Sequence, residues 1–134
     1  MNARRGSTCS PISVEKMMSA STAITFHWTA VTGATGYIGG RLIRELLAHG
    51  YRVRILARNP ERLHEHPWFE QIEIATGDAH DPKALANALK GVDVAYYLLH
   101  ALMSKDDFEA EERSLAQGFS AAAKTAKVSR IVYL

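Results

Sequence analysis

The chain has 134 residues, with 16 basic and 14 acidic side chains, 47% hydrophobic and 22% charged residues. This length and balance suit one globular domain with one core, and exclude a disordered or fibrous chain and a large multidomain machine. The longest uncharged apolar run, Val94–Leu99, is far short of the ~20 residues that span a bilayer, and the single cysteine, Cys9, excludes an intramolecular disulfide framework and a cysteine-rich zinc site.

Residues 1–23 read MNARRGSTCSPISVEKMMSASTA and form a leader without hydrophobic periodicity. Such a segment buries too little apolar surface to offset its ordering entropy. One reading is a targeting peptide, basic and Ser-rich with one acid. The other is a disordered tail or a start assigned too early, with Met17 and Met18 as alternative starts. No apolar stretch of signal-peptide length follows Arg4-Arg5, so the expected location is cytoplasmic. Cys9 has no neighbour that would activate its thiol. The formal net charge of +2 also sits at this end, where Arg4, Arg5 and Lys16 face only Glu15. The rest of the chain balances, with no basic cluster for nucleic-acid binding.

The domain itself is read as 24–134. Ile24–Thr32 is rich in β-formers and ends at Gly33. Tyr37–His49 has helical periodicity, with Ile38, Leu42 and Leu46 on one stripe, and stops at Gly50. Tyr51–Ala57 is a second strand. Asn59-Pro60 breaks it, and a helical turn is expected over 61–64. Trp68-Phe69 is expected to anchor the loop ahead of a third strand, Gln71–Ala75. Asp81 is a natural N-cap before Pro82, and that helix runs to Leu89 and stops at Gly91. Val92–Leu99 is a fourth, strongly apolar strand. A long helix follows over 106–126, with Phe108, Leu115, Phe119, Ala122 and Ala126 inward. Its acidic start, Asp106, Asp107, Glu109, Glu111 and Glu112, suits the helix dipole. Ile131–Leu134 opens a fifth strand.

Strand alternating with helix predicts an α/β fold: a Rossmann-type, doubly wound parallel sheet covered on both faces, truncated after the fifth strand. With strand order 3-2-1-4-5 the fifth strand is left at an edge. The chain is therefore expected to be the front part of a longer protein, marginally stable and without turnover on its own.

The most informative segment is Thr32-Gly33-Ala34-Thr35-Gly36-Tyr37-Ile38-Gly39-Gly40, between a strand and an amphipathic helix. In that setting Gly33 turns the chain out of the strand, Gly36 lets backbone approach a pyrophosphate, and Gly39 lets the helix pack closely. Amides of the first helical turn then face the phosphates. No Gly-Lys-Ser/Thr follows, so this is not a Walker loop. Candidate cofactor contacts are Gly33, Thr35, Gly36, Tyr37, Ile38 and Gly39.

TGATGYIGG is similar to the glycine motif of short-chain dehydrogenase/reductases, in the G-x-x-G-x-x-G spacing of their extended and atypical branches. LARNPERL after the second strand, GDAHDP after the third, VAYYLLHAL as the fourth and DFEAEERSLAQGFSAAAKTAKVSRIVYL extend the likeness over about residues 29–134. Together they most resemble the atypical, NmrA-like NAD(P)-binding proteins. The leader and the His27-Trp28-Thr29-Ala30 entry to the first strand depart from that family, whose members reach the strand within a few residues of their start.

In dinucleotide folds an acid after the second strand binds the NAD ribose, whereas a basic residue accommodates the NADP 2′-phosphate. Here Ala57-Arg58-Asn59 stands there, and no acid precedes Glu61. NADP(H) is therefore the expected cofactor and NAD(H) the alternative, with Arg58 as the phosphate contact and Arg62 as a second candidate. The resemblance implies that Asp78 borders the adenine, and that Leu98, Leu99 and His100 line the ribose and nicotinamide side. It gives His100 either a hydrogen-bonding or proton-transfer role or that of a plain strand cap. His64-Glu65-His66 lacks further ligands, so no metal site is expected.

The resemblance implies an NADP(H)-dependent oxidoreductase acting on an unidentified small molecule. The proton-donating Tyr-x-x-x-Lys pair of the classical family is absent: Tyr37, Tyr51, Tyr96 and Tyr97 are followed four positions on by Arg41, Ile55, His100 and Ala101. No catalytic residue is assigned. The alternatives are a non-catalytic NmrA-like dinucleotide sensor, and an NAD-dependent sugar-nucleotide epimerase or dehydratase, against which Arg58 argues.

Overall fold

A computed structural model describes residues 27–99 and 108–134. The elements are β1 (Trp28–Thr32), α1 (Tyr37–Ala48), β2 (Arg52–Ala57), β3 (Glu73–Thr76), α2 (Pro82–Leu89), β4 (Val94–Tyr97), α3 (Phe108–Thr125) and β5 (Arg130–Tyr133), with 3-10 turns at Pro60–Leu63 and Phe69–Gln71. The five strands form one sheet of order β3-β2-β1-β4-β5. Every pairing is parallel, with β1 between β2 and β4. This is the α/β fold and strand order expected from the alternation of strand and helix.

A parallel sheet must be buried on both faces, and two apolar clusters do this. Val31, Val53 and Ile55 pack with Ile43 and Leu46 of α1 and with Leu63 and Trp68 from the segment after β2. On the other face Ala30, Leu56, Ala95 and Tyr97 meet Leu85 and Leu89 of α2 and Leu115 and Phe119 of α3. Alternate residues of one strand therefore enter different clusters, as the two-residue pleat requires. Trp68 is buried with Phe69 packed beside it, so these residues anchor the loop before β3 as expected. His66 stacks on Trp68 at 4.4 Å and His64 lies 4.1 Å from Phe69, so both rings brace that loop.

The inner stripes differ from the sequence reading. In α1 the buried residues are Gly39, Ile43 and Leu46, whereas Ile38 is 55% exposed. The helix turns its smallest residue, not Ile38, against the preceding loop. In α3 the buried line is Leu115, Phe119 and Ala123, with Ala122 and Ala126 only partly buried beside it and Phe108 exposed. The strands are also shorter than their apolar runs. Gln71 ends a 3-10 turn, and Val92, Leu98 and Leu99 flank β4 while packing into the clusters.

One charged side chain is built into the sheet. Arg54 of β2 is 11% exposed and binds Glu73 of β3 at 2.7 Å. Its Nη1 donates to the carbonyls of Lys90 at 2.6 Å and Ala88 at 3.2 Å. These oxygens lie at the C-terminal end of α2, where helical carbonyls lack intrahelical partners. At the other end, the Asp81 side chain accepts from the Lys83 N–H at 2.9 Å, as the N-cap reading expected.

Candidate dinucleotide-binding site

In this order strands are added on one side of β1 up to β3 and on its other side from β4, and ligands of such sheets sit outside the carboxyl ends of the strands at that switch point. Thr32 ties the two strand ends together there: its hydroxyl donates to the Tyr96 carbonyl at 3.0 Å and accepts from the Leu98 N–H at 3.4 Å. A cleft of about 370 Å3 opens over these ends. Its wall is Gly33, Ala34 and Thr35 after β1, Ala57, Arg58, Asn59 and Arg62 at the end of β2 and beyond, Gly77 to His80 after β3, Leu99 after β4, and Glu111 and Leu115 of α3.

The glycine loop is shaped by close backbone approach. Gly33 has φ +81°, and a Cβ there would stand 2.6 Å from the Leu98 carbonyl oxygen. A Cβ on Gly39 would stand 2.2 Å from the Gly33 carbonyl oxygen and 2.9 Å from the Ala34 Cα. Gly39 therefore packs the helix against its own entry loop, which refines the expected packing against the sheet. Gly36 differs: its φ of −79° suits any residue, and a Cβ there would meet only the Gly33 oxygen at 3.4 Å. The protein interior gives no reason for a glycine at 36. The first turn of α1 carries neither a side-chain cap nor an acidic residue, so its orphan amides keep their donors for an anion.

Of the residues singled out in the sequence, Gly33, Thr35, Arg58, Arg62, Asp78 and Leu99 line this one cleft, and Gly36 and Gly39 do not. Tyr37 and Ile38 are exposed at the start of α1, where the Tyr37 hydroxyl accepts from Arg41 at 2.7 Å. Leu98 is buried in the α1-side cluster and does not line the cleft; its carbonyl backs the glycine loop. His100 lies outside the described residues. Arg58 is largely exposed, with Nη1 3.9 Å from Asp78 Oδ2.

Two polar members of the wall escaped the sequence reading. His80 Nδ1 lies 2.8 Å from Asp78 Oδ1, and its Nε2 contacts Glu111 Oε1 of α3. The His80 backbone N–H also donates to Asp78 Oδ1 at 2.8 Å. That amide bond, with help from the imidazole, holds the Asp78 pKa below the usual carboxylate range. In turn the hydrogen bond to Asp78, reinforced by Glu111, raises the His80 pKa against the opposing effect of burial. Glu111 looked like one acid among several at a helix start, and nothing in the sequence pairs it with a histidine 31 positions earlier. Among the described residues no group of three or more His, Cys, Asp or Glu side chains is placed to hold a metal ion. None of the helices described is long and apolar enough to cross a membrane.

Residues 33–134 match the family of NAD(P)H-binding proteins. The chain belongs to that family. The curated proteins it resembles include reductases and dehydrogenases, and the solved structures include a nucleoside-diphosphate-sugar epimerase from Pseudomonas aeruginosa, at 27% identity and a TM-score of 0.66 over 81% of this chain and 33% of that one. A ceramide reductase of Caulobacter vibrioides is 35% identical over 102 residues, covering 75% of this chain and 31% of that protein. The Citrobacter sp. triphenylmethane reductase, solved with NADP(H), superposes with a TM-score of 0.63 at 28% identity, over 78% of this chain and 36% of that one. A Rossmann-fold NAD(P)-binding protein from Shigella flexneri gives 0.67 at 25% identity, over 80% and 50%. The chain thus spans between about a fifth and about a third of the length of the curated relatives it matches. These relatives do not single out the NmrA-like branch. The cleft suits the family's ligand: the glycine loop supplies one wall through Gly33 and Thr35 and two guanidinium side chains stand on the β2 side, while Gly36 and the uncapped start of α1 lie exposed beyond Thr35.

Proposed function

We propose that this chain is the cofactor-binding part of an NADP(H)-dependent oxidoreductase of the short-chain type, in the NmrA-like branch and working in the cytoplasm. The observation that carries the cofactor choice is Arg58, directly after β2, with Arg62 beside it on the cleft wall and no acid between the strand and Glu61. A ribose 2′-hydroxyl asks for an acceptor at this point, whereas a 2′-phosphate asks for a guanidinium. In this reading the amides at the start of α1 and the glycine loop hold the pyrophosphate. In the same reading Asp78 borders the adenine and Leu99 the ribose and nicotinamide side. Bound NADPH supplies a hydride, and the protein's part is to orient it and exclude water.

The catalytic proton donor is not assigned, because the chain carries no Tyr-x-x-x-Lys pair. The substrate is a small molecule of unspecified class. An NAD-dependent sugar-nucleotide enzyme would call for an acid where Arg58 stands. The test is the ratio of NADPH to NADH affinity in Arg58→Ala. A drop in that ratio of about tenfold, the worth of one charge-assisted phosphate contact, is expected. An unchanged ratio removes the argument for NADP(H).

A further inference from the structure

Asp78 faces an imidazole and a guanidinium. Its Oδ1 contacts the His80 ring at 2.8 Å, and its Oδ2 faces Arg58 at 3.9 Å. The far side of the His80 ring contacts Glu111. An ionised carboxylate only accepts hydrogen bonds, and a neutral imidazole has a single N–H. Both His80 contacts are therefore hydrogen bonds only when the ring is an imidazolium. Among the described residues, Asp78 from the loop after β3 and Glu111 from α3 contact the ring, Arg58 contacts Asp78, and Arg62 lines the same cleft. Asp81, next on the loop, is spent on capping α2.

We propose that His80 is a positioning residue for Arg58 and thereby sets how strongly the cleft prefers the 2′-phosphorylated dinucleotide. This deepens the cofactor reading above and rests on it. As a cation, His80 neutralises Asp78 and leaves Arg58 to turn toward a phosphate. As a neutral ring it loses one of its two carboxylate bonds. Asp78 then draws Arg58 back and away from the phosphate. Phosphate binding and His80 protonation support each other, and the coupling is reciprocal.

The test is the affinity of the whole protein for NADPH and NADH from about pH 6.5 to about pH 9 at fixed ionic strength, above the second ionisation of a phosphate monoester near pH ~6. Wild type should lose about three- to tenfold in NADPH affinity across that range, with NADH changing by less than about twofold. His80→Asn should show a flat profile, at the weaker NADPH affinity of high pH. In an Arg58→Ala background, His80→Asn should no longer change the NADPH to NADH ratio. Glu111→Gln, which removes one charge that favours the imidazolium, should move the midpoint of the wild-type profile to lower pH. A wild-type ratio that does not vary with pH overturns the proposal. So does a His80→Asn profile that follows wild type, or an unmoved midpoint in Glu111→Gln. Binding of neither dinucleotide at any pH overturns the cofactor reading itself and this proposal with it.

Discussion

Gly36→Ala and Gly39→Ala place the same methyl group one helical turn apart and should fail for different reasons. At 39 the new Cβ would stand 2.2 Å from the Gly33 carbonyl oxygen, with the Ala34 Cα at 2.9 Å. Both obstacles are backbone, so the loop or the helix must move by about an ångström, an overpacking cost of about 1–3 kcal/mol. At 36 the new Cβ finds ordinary contact at 3.4 Å, and the backbone already suits alanine. Removing a glycine there restricts the unfolded chain, but Gly36 is also the N-cap of α1, where glycine outranks alanine, so the ligand-free protein should change by less than about 1 kcal/mol. The same methyl projects where the cofactor reading puts the pyrophosphate. Losing one or two of those amide contacts should weaken NADPH binding at least about tenfold. Urea unfolding without ligand, followed by NADPH titration of each variant, separates the two effects. A Gly36→Ala protein that is destabilised like Gly39→Ala, or that binds NADPH with wild-type affinity, would refute the assignment of Gly36 to ligand approach.

Other consequences follow from the same geometry. Arg54→Met keeps the apolar stem but strips the charged donors from the α2 carbonyls and from Glu73; it should cost about 2–3 kcal/mol, read as a lower urea midpoint with an unchanged slope. The Tyr97 hydroxyl is buried without a hydrogen-bond partner among the described residues, and burial, with smaller effects of Glu112 and Tyr133, raises its pKa. Tyr97→Phe should therefore be neutral or up to about 1 kcal/mol stabilising, and a clear destabilisation would reveal a partner for that hydroxyl. His80 has its pKa raised above its ordinary 6.5, so its stabilising bonds are complete below that value and vanish as pH rises through the higher folded value. Asp78 has its pKa lowered from 3.8, so its contribution is complete above that value and vanishes in stronger acid. The stability gap between wild type and His80→Asn should accordingly be wider at about pH 5.5 than at about pH 9, and an equal gap would count against the imidazolium.

What the sequence made legible was what local pattern encodes. Strand-helix alternation gave the parallel sheet and its order, the glycines marked the loop after β1, and Asp81-Pro82 marked the start of α2. What it hid depends on contacts between distant segments. The rotation of α1 is set by Gly39 meeting the Gly33 carbonyl, not by the apolar count that favoured Ile38. Arg54 looks like one outward residue of an alternating strand, yet it binds carbonyls 34 and 36 positions away. His80 and Glu111 sit on separate elements and meet only once α3 crosses the β3 side of the cleft. Leu98 and Leu99 were alike as sequence, but one backs the glycine loop and the other lines the cleft, because adjacent residues leaving a strand face opposite ways.

The central claim is that the cleft over the ends of the strands takes a 2′-phosphorylated dinucleotide. Calorimetric titration of the wild-type protein with NADPH and with NADH, at neutral pH and moderate salt, tests it most directly. The account predicts one site with NADPH bound at least about tenfold more tightly than NADH. Equal affinities, tighter NADH, or no binding of either would contradict it.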